Sequence, residues 1–149
     1  MSKIYFEDIA VGDKTTSESR TVTKEEILDF ARKYDPQSFH IDEEAAKKSI
    51  YGGLIASGWH TASTLMRLLV DNMTNSRAGL GSPGFDDLRW IRPVRPDDSL
   101  RYESTVIETR KSESRPDMGI VRAEVKLFNQ NDEVVLNMKS IGMVKARPE

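Results

Sequence analysis

The feature that most constrains this fold is one largely apolar helix followed by a run of alternating segments. The predicted helix covers residues 58–71, and its apolar positions are Trp59, Ala62, Leu65, Met66, Leu68, Leu69 and Val70. A helix that is apolar on most sides is usually buried. The sequence therefore predicts one central helix that the rest of the chain must cover.

The second half of the chain has the period of half-buried strands. Apolar and charged residues alternate from Val121 to Leu127 and again from Leu100 to Val106. Further strands are predicted at 85–94 and 134–144, with a hairpin turn at 129–132. The short separations favour antiparallel pairing. We therefore expect an α+β fold, a curved antiparallel sheet around a central helix, in one domain spanning residues 1–149.

The first half of the chain contains a strand and a helix with clear boundaries. Residues 13–23 are polar and rich in threonine, which predicts a strand. Thr23 is a candidate N-cap, with Glu26 completing a capping box. Pro36 disfavours helical backbone at the residue before it, so the helix is expected to end near Tyr34. Residues 35–41 are then predicted to form an irregular turn.

Composition excludes several classes of function. The chain has 149 residues, no cysteine and a net charge of −2, so disulfides, thiolate metal sites and cysteine nucleophiles are excluded. Mixed charge of both signs argues against nucleic-acid binding. No signal-peptide run and no apolar stretch of about 20 residues are present, so neither secretion nor a membrane span is expected. A cytoplasmic protein is the expectation.

Asp35 and His40 are the candidate acid/base pair. The chain has only two histidines, and His40 follows a carboxylate by five residues within the predicted turn. Histidine suits proton transfer near neutral pH, and a carboxylate can orient a water beside it. The spacing alone is a weak signal, because Asp35 could simply cap the turn and His40 could be a packing residue.

The start of the central helix is a second candidate. Gly58 would let a substrate approach free backbone N–H groups, which favour a developing negative oxygen. Ser57 and His60 lie beside it and could contact substrate. The alternatives are a plain turn of small residues at 57–58 and a core histidine bonded to backbone at position 60.

A cluster of arginines is a candidate site for phosphate groups. Arg89, Arg92 and Arg95 flank a proline-containing segment and could meet the phosphates of a nucleotide-like carrier. Each one could equally be a solvated surface charge. Asp35, Asp42 and His40 form too thin a set for a metal, so no metal site and no cofactor are expected.

Together these segments resemble the MaoC-like dehydratases, or (R)-specific enoyl-CoA hydratases, of the hotdog fold. The resemblance covers nearly the whole chain. It is carried by Tyr5-Phe6-Glu7-Asp8-Ile9-x-Val11-Gly12, by residues 35–42, by Gly53-Leu54-Ile55-Ala56-Ser57-Gly58, and by Leu88-Arg89-Trp90-x-Arg92-Pro93-Val94. The hydratase motif of that family runs Asp-x-Asn-Pro-x-His.

The resemblance implies roles for individual residues. Asp35 and His40 fall in register with the catalytic aspartate and histidine, while Gln37 replaces the asparagine and Ser38 the proline. Gln37 keeps an amide that could contact water or a carbonyl. Gly58 falls where the family places the N–H that binds the thioester oxygen. Met66 stands where many of its hydratases carry a serine.

The resemblance also implies an activity and an assembly. The expected reaction is reversible hydration of a trans-2-enoyl-CoA by the Asp35–His40 pair, in a homodimer or a larger homo-oligomer with the acyl-CoA site between protomers. Two alternatives stay open: a thioesterase on the same fold, and a non-catalytic partner subunit with a degenerate site. The acyl chain of the substrate cannot be read from the sequence.

Overall fold

The computed structural model describes residues 3–149 of the chain. The helices are α1 (Lys24–Tyr34), α2 (Ser38–Ile41), α3 (Glu43–Lys47) and α4 (Gly58–Asn72). The strands are β1 (Lys14–Thr16), β2 (Arg20–Thr21), β3 (Gly84–Trp90), β4 (Ser99–Lys111), β5 (Met118–Phe128) and β6 (Val134–Lys145). Two short 3₁₀ turns cover Phe6–Asp8 and Thr74–Ser76. Within residues 3–149, no helix has the length and apolarity that a membrane crossing requires.

The strands form an antiparallel sheet in the order β1-β4-β5-β6-β3, with β2 also paired to β4. The hairpin turn at 129–132 joins β5 to β6, as the sequence predicts. β3 lies at one edge of the sheet, and its pairing with β6 shifts register between Asp86 and Arg89. The predicted α+β arrangement, a sheet around one central helix, is confirmed.

The core lies between α4 and the concave face of the sheet. Leu65 and Leu69 of α4 belong to the same buried cluster as Tyr102 of β4, Val125 of β5 and Leu136 of β6. A second, smaller cluster contains Ile9, Val106, Val121 and Val144. The helix is thus fixed along one side, and its N-terminal end is held against the segments that precede it.

Three local predictions need correction. The strand expected at 13–23 is two short strands, because the Ser17 hydroxyl accepts the Tyr102 N–H and interrupts the backbone ladder. The turn expected at 35–41 is irregular only as far as Gln37, after which α2 forms. The strand expected at 85–94 ends at Trp90, since the N–H groups of Ile91 and Arg92 both donate to the Val135 carbonyl and Pro93 has no N–H to resume a ladder.

The central helix is also less buried than its composition predicts. Trp59 is 60% exposed and Met66 is 41% exposed. Both lie on one face of α4, seven residues apart. The apolar surface of the helix therefore faces the sheet on one side and solvent on another.

Candidate active site

Asp35 and His40 are placed together by a break between two helices. Pro36 ends α1, and Asp35 takes the C-cap position with a non-helical backbone. Gln37 then starts α2, whose single turn carries His40 back toward Asp35. Both side chains line a cavity of about 550 Å³ together with the helix start at Gly58. The short turn is what brings the two candidate catalytic groups into contact.

The geometry fixes which nitrogen of His40 is available. His40 Nδ1 lies 2.8 Å from the carbonyl oxygen of Ile55, and a carbonyl can only accept, so Nδ1 carries the hydrogen. Nε2 of the neutral ring is then an acceptor, 3.3 Å from Asp35 Oδ2. The ring itself is buried. Two acceptors facing each other at this distance suit a shared proton or a water that donates to both.

The carboxylate of Asp35 is held on both oxygens. Ser57 Oγ donates to Oδ2 at 2.7 Å, and Gln37 Nε2 donates to Oδ1 at 2.7 Å. Burial by itself would raise the pKa of Asp35. The hydrogen bonds from Ser57 and Gln37, with a smaller electrostatic contribution from His40, outweigh burial and lower that pKa. Asp35 is therefore an anion at neutral pH.

Gly58 starts α4 and lines the same cavity. Among residues 3–149, no acceptor is found for its N–H, which leaves this first-turn donor free for a ligand. The sequence suggests that position 58 is a glycine so that substrate can approach the backbone. The structure gives a different reason. A Cβ at Gly58 would lie 2.6 Å from Trp90 Cε2, and Trp90 Nε1 donates to the Gly58 carbonyl at 2.8 Å. The indole ring occupies that space and holds the peptide in place.

Ser57 and His60 are near the site but do not line the cavity. Ser57 is fully buried, with its hydroxyl turned to Asp35. His60 is buried and stacks on Phe30, with ring centroids 4.9 Å apart. Its Nδ1 has no hydrogen-bond partner in the described chain, so the expected bond to backbone is not found. Burial lowers the pKa of His60, and Glu26 only partly opposes this.

The three candidate phosphate-binding arginines have different positions relative to the cavity. Arg92 lines the cavity and lies 3.3 Å from Glu133 Oε2 in an exposed ion pair. Arg89 donates to the carbonyl of Leu88, and Arg95 donates to the carbonyl of Tyr51 at 2.6 Å. Neither Arg89 nor Arg95 is part of the cavity wall.

Aromatic residues of the cavity wall were not singled out from the sequence. Trp59 and Trp90 meet edge to face, 5.2 Å between centroids, and both line the cavity with Tyr51. Each is one aromatic residue within a predicted helix, strand or loop. The periodicity of those segments does not indicate that these side chains line a cavity. Among residues 3–149, no three histidine, cysteine or acidic side chains come together as metal ligands. The arrangement can position a water at an imidazole–carboxylate pair, near a free backbone donor.

Known proteins are similar to this chain in both sequence and fold. A family model described as MaoC like domain matches residues 8–127. A MaoC-like dehydratase from Rhodospirillum rubrum is 43% identical, with a TM-score of 0.87 over 98% of this chain and 99% of that one.

Two more distant structures show the fold. The R-hydratase PhaJ1 of Pseudomonas aeruginosa is 22% identical, with a TM-score of 0.74 over 97% of this chain and 88% of that one. A Mycobacterium tuberculosis protein with a double hotdog fold is 16% identical, with a TM-score of 0.79 over 99% of this chain and 46% of that one. The fold is therefore a hotdog. Since the family model spans most of the sequence, the chain belongs to the MaoC-like domain family.

Proposed function

We propose that this protein is a hydro-lyase that adds water reversibly to a trans-2-enoyl-CoA thioester. The observation that carries the proposal is the contact of His40 Nε2 with Asp35 Oδ2, at 3.3 Å, in the wall of a cavity that also contains the Gly58 N–H. A water on the cavity side of this pair, donating one hydrogen to each acceptor, has both hydrogens engaged. Its oxygen lone pair is then free to attack a carbon.

In the proposed reaction, His40 accepts one proton from the water as its oxygen bonds to C3. The electron pair of the double bond moves toward the thioester, and the enolate oxygen accepts a hydrogen bond from Gly58. The pair then returns a proton to C2, so that the net change is addition of one water. A preorganised donor of the Gly58 kind is typically worth about 2.7–4 kcal/mol.

The test is the turnover of catalytic variants. Asp35→Asn and His40→Gln should each lower kcat/KM for hydration by about 10²–10⁴-fold, because each removes an acid/base group. His60→Gln is the matched control, since His60 is equally buried but does not line the cavity. Loss of the enoyl absorbance measures hydration, and far-UV circular dichroism checks folding. Near-normal turnover by either site variant would contradict the assignment.

The same substrates separate the two rival functions. A thioesterase aims water at C1 and releases free CoA thiol, whereas a hydratase consumes the double bond and releases none. A non-catalytic subunit does neither. Parallel measurement of thiol and enoyl absorbance therefore assigns one of the three functions.

We assign the CoA phosphates to Arg92, the one candidate arginine in the cavity wall. Its planar fork of donors matches phosphate geometry. Arg92→Gln should raise KM for the CoA ester severalfold with little change in kcat, while Arg89→Gln, outside the cavity, should change neither. Equal effects of both variants in steady-state kinetics would remove Arg92 from the site.

We further propose a homodimer that completes this site. Exposed apolar side chains gather at the free edge of β3, and we call them the edge patch: Trp59, Met66, Phe85, Trp90 and Ile91. Three of them also line the site cavity. An open sheet edge with an apolar patch favours pairing with a second copy. That copy would form the missing wall of the cavity.

A further inference from the structure

A second cavity lies between the C-terminal half of α4 and the concave face of the sheet. Its volume is about 230 Å³. The wall is largely apolar, with Met66, Leu69 and Met73 on the helix side and Val121 and Val144 on the sheet side. One charged residue lines it, Arg77, from the segment after α4.

Arg77 forms no ion pair in the described chain. Between residues 3 and 149, its side chain makes no hydrogen bond and no salt bridge, unlike the paired Arg67 and Arg122. Burial lowers the pKa of Arg77, with Tyr102 and Asp13 acting in the opposite direction. Tyr102 is itself fully buried, and its hydroxyl has no partner. A partly buried cation without a partner is costly, so an anion brought into this cavity would be stabilised there.

Residues of the edge patch lie in the walls of both cavities. Trp59 and Trp90 line the first cavity, while Met66 and Phe85 line the second. Trp59 and Met66 share a face of α4, and Trp90 and Phe85 belong to the same strand. From Gly58 to Met66 the helix advances roughly 12 Å, at about 1.5 Å per residue. An apolar chain that starts at Gly58 and follows this face arrives at the second cavity.

We infer that the second cavity receives the far end of the acyl chain, and that Arg77 binds a carboxylate there. The inference rests on the proposed function, because the acyl group is that of the thioester held at Gly58. It names the substrate class as medium-chain acyl-CoA esters with a carboxylate at the end remote from the thioester. Apolar walls hold the methylene chain, and one guanidinium selects the charged end.

Binding is measured without turnover. Isothermal titration compares two saturated, unreactive CoA esters of equal medium chain length, one ending in a carboxylate and the other in its methyl ester. The protein should bind the carboxylate form at least tenfold more tightly. Arg77→Gln should abolish that preference and leave the methyl ester unaffected. Arg67→Gln, an exposed arginine on α4 outside both cavities, is the matched control and should keep the preference.

Stability separates a ligand-binding arginine from a structural one. Arg77→Met replaces an unpaired charge with an apolar chain of similar length, so the melting temperature should stay the same or rise. A structural arginine would give a lower melting temperature instead. Should Arg77→Gln fail to fold, Arg77→Met carries the binding measurement.

Three outcomes would overturn the inference: equal binding of the two saturated esters, an unchanged preference in the Arg77 variants, or a large loss of stability in Arg77→Met. The proposed function fails separately, by absence of hydration with any enoyl-CoA, including short neutral ones. A protein that hydrates neutral enoyl-CoA but shows no carboxylate preference keeps the function and loses this inference.

Discussion

The carboxylate of Asp35 has a separate hydrogen-bond donor on each oxygen, and the two donors come from different parts of the chain. Gln37 is two residues away, in the turn that Pro36 creates. Ser57 is 22 residues away, just before α4. These contacts keep the carboxylate ionised despite its partial burial. The ionisation state of Asp35 therefore depends on how α4 packs against the turn between α1 and α2.

The effect of Ser57 can be measured in the pH dependence of the reaction. The pKa of Asp35 is lowered, so its carboxylate should stay ionised below the ordinary pH range of an aspartate. Ser57→Ala removes one of the hydrogen bonds that lower this pKa, and the pKa must rise. The acidic limb of the kcat/KM profile should then move toward neutral pH.

A matched control for Ser57→Ala lies on α4 itself. Ser63 is exposed and bonds only to the Trp59 carbonyl, so Ser63→Ala should leave the acidic limb in place. An acidic limb that does not move in Ser57→Ala would show that Asp35 ionisation does not limit activity.

The sequence predicts residues of this site where the spacing is short. Asp35 and His40 are five residues apart across a proline-directed break, and the structure places them in contact. The Ser57–Asp35 bond joins segments that meet only through tertiary packing. The sequence therefore marks Ser57 as near the site but gives it a contact with substrate, whereas its hydroxyl is turned to Asp35.

At the scale of elements, the start of α4 is shaped by β3. The Trp90 ring lies against Gly58, and its N–H donates to the Gly58 carbonyl. The indole of an edge strand thus fixes the orientation of the Gly58–Trp59 peptide, which directly follows the free Gly58 N–H. Helix and strand periods predict both elements, but they contain no information on which side chain packs against the helix start.

This contact determines the effect of Gly58→Ala on stability. Helix propensity alone would make the change stabilising by up to about 1 kcal/mol. The new Cβ meets Trp90, however, and overpacking typically costs about 1–3 kcal/mol. We expect net destabilisation in urea unfolding, with loss of the proposed hydratase activity as the indole is displaced.

A double-mutant cycle isolates the contact with Trp90. In a Trp90→Ala background, Gly58→Ala should become neutral or stabilising, with a coupling energy of about 0.5–3 kcal/mol. Gly79→Ala is the control, since a Cβ there meets nothing within 4 Å. The same cost for Gly58→Ala in both backgrounds would mean that Trp90 does not impose the glycine.

At the scale of the whole molecule, the two edges of the sheet differ. Within residues 3–149, one edge consists of the short strands β1 and β2, which pair only with β4, and the other is the seven-residue β3, which pairs only with β6 and is open on its outer side. The edge patch lies along this open side and includes Trp59, 60% exposed, and Trp90, 43% exposed. The periodicity of α4 predicts burial of its apolar residues but not what covers them. The sequence therefore predicts Trp59 and Met66 to be core residues, whereas in the single chain both side chains are exposed.

A single charge in the edge patch should separate the proposed dimer. Phe85→Asp places a carboxylate in a surface that would be dehydrated on pairing, and an unpaired buried charge is strongly unfavourable. We expect wild-type protein to sediment as a dimer or a multiple of one, and the variant to sediment as a folded monomer. Under the proposed function, hydration should fall with the dimer, since the partner would supply a wall of the candidate catalytic cavity. Val11→Glu, an exposed apolar position outside the edge patch, should change neither sedimentation nor turnover. A wild-type protein that is monomeric and fully active would show that one chain suffices, and the edge patch would then need another explanation.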